Sequence, residues 1–231
     1  MKNKKGLFTI MIGLMLMASA LFLTGYNLYE EHRASQSVTR AVYQLEEFLA
    51  FTSGQKSSAE RPGEGVSVAK GWENGTDLQL NEADASAQKE IPDYILNPKM
   101  DMPVMQVEDR DYIGILEIPT YELELPVISM WSYSALKESP CRYSGSAYTN
   151  NMVIAGHNYR SHFNCLSDLE VGEQVVFTDM DGNVFVYEIL NREILHETDV
   201  EGMQEGDWDL TLFTCTSDGI YRVIVRCLLI K

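Results

Sequence analysis

Positive charge is scarce in this 231-residue chain: 18 Lys and Arg face 34 Asp and Glu, for a formal net charge of −16. No acidic residue precedes Asn27, whereas Lys2, Lys4 and Lys5 do, so the remainder is more acidic still. Bulk electrostatics therefore argue against nucleic acid or an anionic membrane surface as a partner, and the excess acid reads as a solvated surface. Cysteine is sparse as well. Cys141, Cys165, Cys215 and Cys227 make an even count, which outside a membrane admits two structural disulfides. Histidine is limited to His32, His157, His162 and His196, which leaves few candidates for acid–base work.

Long hydrophobic runs are missing except for one. Gly6 to Tyr26 is uncharged and, at about 1.5 Å per residue, can cross a bilayer core of about 30 Å. After three lysines it reads as a single-pass anchor. A cleaved signal peptide competes, because Ala18, Ser19 and Ala20 are small, but the apolar run continues through Leu23. The lysines favour the cytoplasmic side, which places everything after Tyr26 outside the cell.

Four regions are expected. Residues 1–26 form the cytoplasmic tip and transmembrane anchor, and residues 27–52 a juxtamembrane helix, with Val38, Val42, Leu45 and Leu49 at helical spacing. Residues 53–101 are a polar linker of low hydrophobicity. Residues 102–231 are the functional domain. There "YIGILEIP", "LELPVI", "NMVIAGH", "EQVVFTDMDGNVFVYEIL", "DLTLFTC" and "YRVIVRCLLI" are short runs rich in Val, Ile, Tyr and Phe, bounded by turn residues. They argue for an all-β barrel or sandwich with one or two short helical turns. Asp181-Gly182 marks one hairpin and Asp218-Gly219 another.

The second hairpin sets a register. A two-residue turn on Asp218-Gly219 makes Cys215 and Arg222 direct partners, pairs Phe213 with Ile224 and Thr211 with Arg226, and puts Cys227 on the opposite face. A Cys215–Cys227 disulfide is then disfavoured. A three-residue turn rotates Arg222 away. A cation beside a thiol favours thiolate and later an oxyanion; the plainer reading is a small buried cysteine beside a surface arginine. Pattern alone leaves both open.

His157 ends an apolar strand directly after Gly156, where strands give way to site-building loops. A strand ending Ala-Gly-His-Asn, then Thr-Leu-Phe-Thr-Cys, then Arg in a following strand, behind an N-terminal anchor, resembles the sortases, membrane-anchored cysteine transpeptidases of Gram-positive bacteria. "IGILEIP" and "LPVI" resemble that family's first strands. The resemblance implies a sortase-like eight-stranded β-barrel with His157, Cys215 and Arg222 converging at one end. It implies attack by Cys215 on an LPxTG-like sorting signal, a thioester, and transfer to an amine from a cell-wall precursor or a pilin lysine. His157 serves as acid and base, Arg222 binds substrate or oxyanion, and Thr214, Asn158 and Arg226 support the site or bind substrate. No metal or other cofactor is implied. The membrane-proximal helix suits class B and the compact "TCTSDGIYR" turn suits class C or D, giving a B- or D-like reading.

Pilin-polymerising members carry an Asp-Pro-aromatic lid; Asp93-Tyr94 lacks that order and reads as linker. Three other readings compete. The main one is a non-catalytic adhesion or sensor domain held by two disulfides. A zinc site on His157, His162 and Cys165 lacks a neighbouring Glu base. A papain-like peptidase has its Cys before its His, the reverse of the order here. "EGMQEGDWD" reads as a solvated acidic loop rather than a Ca²⁺ site on Glu201, Glu205 or Asp207.

Overall fold

The computed structural model describes residues 3–59, 91–204 and 206–230. It begins with one helix, α1 (Asn3–Ala59), whose N-terminal part is exposed and is long and apolar enough to cross a membrane. Further along, Val38, Val42 and Leu45 are buried, with Ala34 and Ala41 filling the space between them. Three and four residues separate neighbours on that stripe, so it faces one way and lies against the outside of the barrel. Each buried Val or Leu contributes roughly 1.5–3 kcal/mol to the docking. The helix runs through residues 53–59, which the sequence reading assigned to the linker; most of that linker, residues 60–90, lies outside the described residues.

The strands are β1 (Met105–Val107), β2 (Arg110–Ile118), β3 (Leu123–Ile128), β4 (Cys141–Ser144), β5 (Met152–Ala155), β6 (Gln174–Asp179), β7 (Val184–His196), β8 (Leu210–Cys215) and β9 (Tyr221–Leu229). Eight of them close a barrel in the order β2-β3-β4-β5-β8-β9-β7-β6, with β6 returning to pair with β2. This is the eight-stranded barrel expected from the sequence. The short β1 is additional and pairs with the start of β2. Three short helices decorate it: α2 (Asp93–Leu96), α3 (Tyr133–Leu136) and α4 (Val200–Gln204).

Inside the barrel, alternate residues of each strand meet: Leu116, Ile154, Phe177, Tyr187, Leu212 and Val225 are all fully buried. The outer face is covered in two places. Under α1, Ala41 and Leu45 meet Val107, Ile115 and Met180. On the β5/β8/β9 side, Val153, Ala155, Phe213 and Ile224 form a second outer cluster, with Trp131 and Tyr143 packed on it.

Both expected hairpins form, with different loops. The β6–β7 turn has three residues, Met180-Asp181-Gly182, because Thr178 pairs with Val184 and Gly182 takes a positive φ of 80°. The β8–β9 turn holds four, Ser217 to Ile220, closed by the Thr216 N–H donating to Tyr221 O at 2.9 Å. Being centred on Asp218-Gly219, it keeps the register of the expected two-residue turn: Cys215 faces Arg222 and Leu210 faces Cys227.

All four cysteines are free; Cys141, Cys165 and Cys227 are buried and only Cys215 is partly exposed. The two disulfides on which the adhesion or sensor reading relied are therefore not formed. Tyr94 stacks on Tyr148 with ring centroids 4.7 Å apart and also touches Phe185. These lie beside the β6–β7 turn, at the barrel end away from Cys215, so Asp93-Tyr94 covers the end opposite the candidate site.

Candidate active site

Two adjacent parallel strands set the site. Strands β5 and β8 pair from Met152–Leu210 to Ala155–Phe213, and the Gly156 N–H continues the ladder to Phe213 O at 3.0 Å. Carried one step further, that register sets His157 level with Cys215, on strands that neighbour each other at about 4.8 Å. Alternation puts both on the outer face with Val153, Ala155 and Phe213. Gly156 is needed there, since a Cβ would run into the ring of Phe163.

His157 is half-buried, and its ring stacks on Tyr159 at 4.8 Å. Its main chain is pinned from the far side of the loop, where the Phe163 N–H donates to His157 O at 3.0 Å. Burial lowers the pKa of the imidazole, the Lys137 charge lowers it further, and Glu30 pulls it partly back. The ring is therefore neutral at pH 7 and can accept a proton. Behind it His162 is fully buried, and burial, with the charge of His157, brings its pKa down to about 3 against the pull of the Glu138 main chain.

Arg222 stands opposite Cys215, but its guanidinium is held by the turn. Nη1 donates to Gly219 O and Tyr221 O, each at 3.0 Å, and Nη2 lies 3.5 Å from Glu197 Oε2. A cation is thus fixed at the rim of the site. Arg226 lies elsewhere, four residues further along β9. It is 2% exposed, and its donors go to Glu193 Oε1, Thr211 Oγ1 and the carbonyls of Met203 and Gly202. That is the bonding of a structural strut between β7, β8 and α4. Thr214 is buried with no hydrogen-bond partner on Oγ1. Asn158 accepts from Asn164 Nδ2 at 2.8 Å and borders the open space at the site.

Two adjoining cavities make up that space. One, of about 500 Å³, is lined by Asn158, Tyr159, Asn164, Thr216 and Ser217 on the barrel, by Lys137, and by Tyr26, Asn27, Glu30 and Glu31 of α1. The other, of about 270 Å³, shares Asn158, Asn164, Thr216 and Ser217 and runs on to Arg192, Ile194 and Val223. Val223 of β9 and Arg192 and Ile194 of β7 thus flank a groove that reaches Thr216, the residue after Cys215, while the His157, Cys215 and Arg222 side chains themselves line neither cavity. Among the described residues no three His, Cys, Asp or Glu side chains gather as a metal site, and Glu205 lies outside them.

Sequence reading found His157, Cys215, Arg222 and Asn158 at this end of the barrel. It missed Tyr159, Lys137 and the acidic pair on α1. Tyr159, two residues after His157, carried a weak signal; the helix carried none, because its approach is set by docking more than a hundred residues away in sequence.

The description "Sortase domain" fits residues 116–230. Sortase D of Bacillus subtilis strain 168 is 26% identical over 209 residues, covering 88% of this chain and 87% of that one. Among solved structures, a Clostridium perfringens Sortase D5 transpeptidase is 24% identical, with a TM-score of 0.47 over 52% of this chain and 80% of that one. Sortase C of Streptococcus pneumoniae is 24% identical, with a TM-score of 0.47 over 55% of this chain and 71% of that one.

Proposed function

Because the chain belongs to the sortase family, we propose that it is a membrane-anchored cysteine transpeptidase in which Cys215 is the nucleophile, His157 the acid and base, and Arg222 the cation of the site. One observation carries the reading: the β8–β9 register puts Arg222 opposite Cys215, and the β5–β8 register, extended two residues past its last pair Ala155–Phe213, brings His157 level with the same thiol.

The chemistry follows from those positions. Neutral His157 takes the proton of the Cys215 thiol as sulfur attacks the carbonyl of a sorting-signal peptide bond, typically Thr-Gly in an LPxTG-like motif. The tetrahedral oxyanion needs a fixed positive charge, and Arg222 supplies it once its guanidinium turns from the loop carbonyls to the substrate. His157 returns the proton to the departing amine, leaving a thioester on Cys215. An incoming amine, from a cell-wall precursor or a pilin, gives up a proton to His157, attacks the thioester and restores the thiol. The groove on either side of Asn158 and Thr216 has room for the peptide. Arg226 belongs to the scaffold in this reading.

Lys2, Lys4 and Lys5 hold the N-terminus inside, α1 crosses the bilayer and the barrel works on the outer surface. The relationship to Sortase D and the compact β8–β9 turn favour a D-like enzyme.

Intact mass spectrometry of the purified chain with LPxTG-type and NPxTN-type peptides and an amine tests this. The expected result is an acyl adduct on wild type, absent from Cys215→Ala, followed by an amide product. Wild-type protein that carries a titratable Cys215 yet forms neither adduct nor amide with any peptide contradicts it.

A further inference from the structure

The uncharged run of α1 ends at Tyr26, and the following turns lie against the site: Tyr26, Asn27, Glu30 and Glu31 form one wall of the 500 Å³ cavity that Tyr159 and Thr216 line from the other side. Two polar contacts fix that wall. Glu30 Oε2 lies 3.5 Å from Lys137 Nζ, with the Glu30 side chain 13% exposed. The Arg160 N–H donates to Glu31 Oε1 at 3.3 Å. Both contacts end beside His157: Arg160 is three residues beyond it in the same loop, and the charge of Lys137 acts on its ring. The helix does not depend on these contacts for its place, because Ala34, Val38, Ala41, Val42 and Leu45 seat it on the barrel. A helix that served only as a tether would need neither contact.

We propose that Glu30 and Glu31 are positioning residues of the active site. Glu31 holds the backbone that follows His157, Glu30 holds Lys137 beside the imidazole, and the turn of α1 that leaves the membrane is a built wall of the substrate cavity. The proposal rests on the reading of His157 as the acid and base. The charged and titratable groups that face His157 are Lys137 beside α3, Glu30 on α1, Tyr159 and His162 in its own loop, and Cys215 on β8. Glu30 and Lys137 push its titration in opposite directions, so their removal is distinguishable. The cavity also opens within two turns of the end of the uncharged run, which at about 1.5 Å per residue puts its mouth at the depth of lipid headgroups.

The test uses the full chain in lipid nanodiscs, with the His157 ring titrated by NMR alongside transfer kinetics. Glu30→Gln is expected to move the His157 midpoint down and Lys137→Met to move it up, each on the order of a few tenths of a pH unit for such partly exposed charges. Glu31→Ala is expected to lower kcat on the order of tenfold by loosening the His157 loop. Glu31→Gln keeps an acceptor for the Arg160 N–H and is expected to restore the rate. Arg40→Ala, which removes an exposed α1 pair to Glu108 away from the cavity, is expected to change neither. Midpoints that stay put or move together in the first two variants, or a wild-type rate for Glu31→Ala, overturn the proposal. Absence of transfer by wild type counts against the transpeptidase reading instead, while the titrations still decide whether α1 acts on His157.

Discussion

The two ends of the barrel differ in what ties their polar groups together. At the β6–β7 end, Asp179 is fully buried and its carboxylate accepts four hydrogen bonds: from the Asp181 and Asn183 N–H groups, Asn183 Nδ2 and Tyr148 Oη. Tyr94 then stacks over Tyr148 and closes that end. At the β5–β8 end, Ser161 Oγ and Thr214 Oγ1 are buried without hydrogen bonds, Arg222 is held by loop carbonyls, and the cavities lie open beside Thr216 and Ser217. A buried polar group left without a partner costs about 1–3 kcal/mol. Both ends carry some of that cost, since Tyr187 Oη at the closed end is also buried without a partner; the difference is that the Asp179 carboxylate ties the closed end together, while at the other end open space lies beside Thr216 and Ser217.

The sharpest way to break this contrast is to exchange activity for stability. Cys215→Ala is expected to reduce transfer on the order of 10⁴-fold or more, with the melting temperature unchanged; activity and circular-dichroism melting on one preparation check both halves. Asp179→Ala should do the reverse. It strands Tyr148 Oη and two backbone N–H groups, costs about 3 kcal/mol in denaturant unfolding, and leaves transfer per folded molecule intact. Leu45→Ala tests the seat of α1, with a loss of about 2–3 kcal/mol from a cavity in the cluster it shares with Ile115 and Met180.

A pH series sharpens the contrast at the open end. The folded His162 takes a proton only near pH 3, whereas the unfolded ring does so near its ordinary 6.5, so between those values the unfolded state binds more protons. Stability should therefore fall as pH drops from 6.5 towards 3, by up to about 1.4 kcal/mol per pH unit from this residue. His162→Phe removes that slope, and comparing it with wild type cancels the carboxylates common to both. The smallest expected effect is that of Tyr94→Ala, roughly 1 kcal/mol from a ring stack at the closed end, with no change in KM for the sorting peptide. A large KM change there would mean that the two ends communicate.

The same contrast explains what the sequence could tell. Strand pairings near tight turns were legible, because a loop of even length centred on Asp218-Gly219 keeps Cys215 opposite Arg222 whether it holds two residues or four. The Asp181-Gly182 hairpin was legible as a hairpin but not in its register: Met180 joins the loop and Gly182 supplies the positive φ that a three-residue turn requires. Alternation put Arg222 and Arg226 on one face, yet only packing separates them. Arg226 is sealed under α4 by Glu193 and two carbonyls, while Arg222 sits at the rim. Least legible was the wall contributed by α1. The spacing of Val38, Val42 and Leu45 gave the helix one apolar face, which left open whether it stands as a stalk or packs on the domain, and nothing local showed that docking this face brings Glu30 and Glu31 to the loop of His157.

Transfer through a thioester requires one thiol to be the reacting group. Peptide mapping of the acyl adduct, formed with a sorting peptide and quenched in acid before an amine is added, tests that most directly. The acyl group is expected on Cys215 alone, with Cys141, Cys165 and Cys227 unmodified in their buried positions. An adduct on any of those three, or transfer that persists in Cys215→Ala, would contradict that expectation.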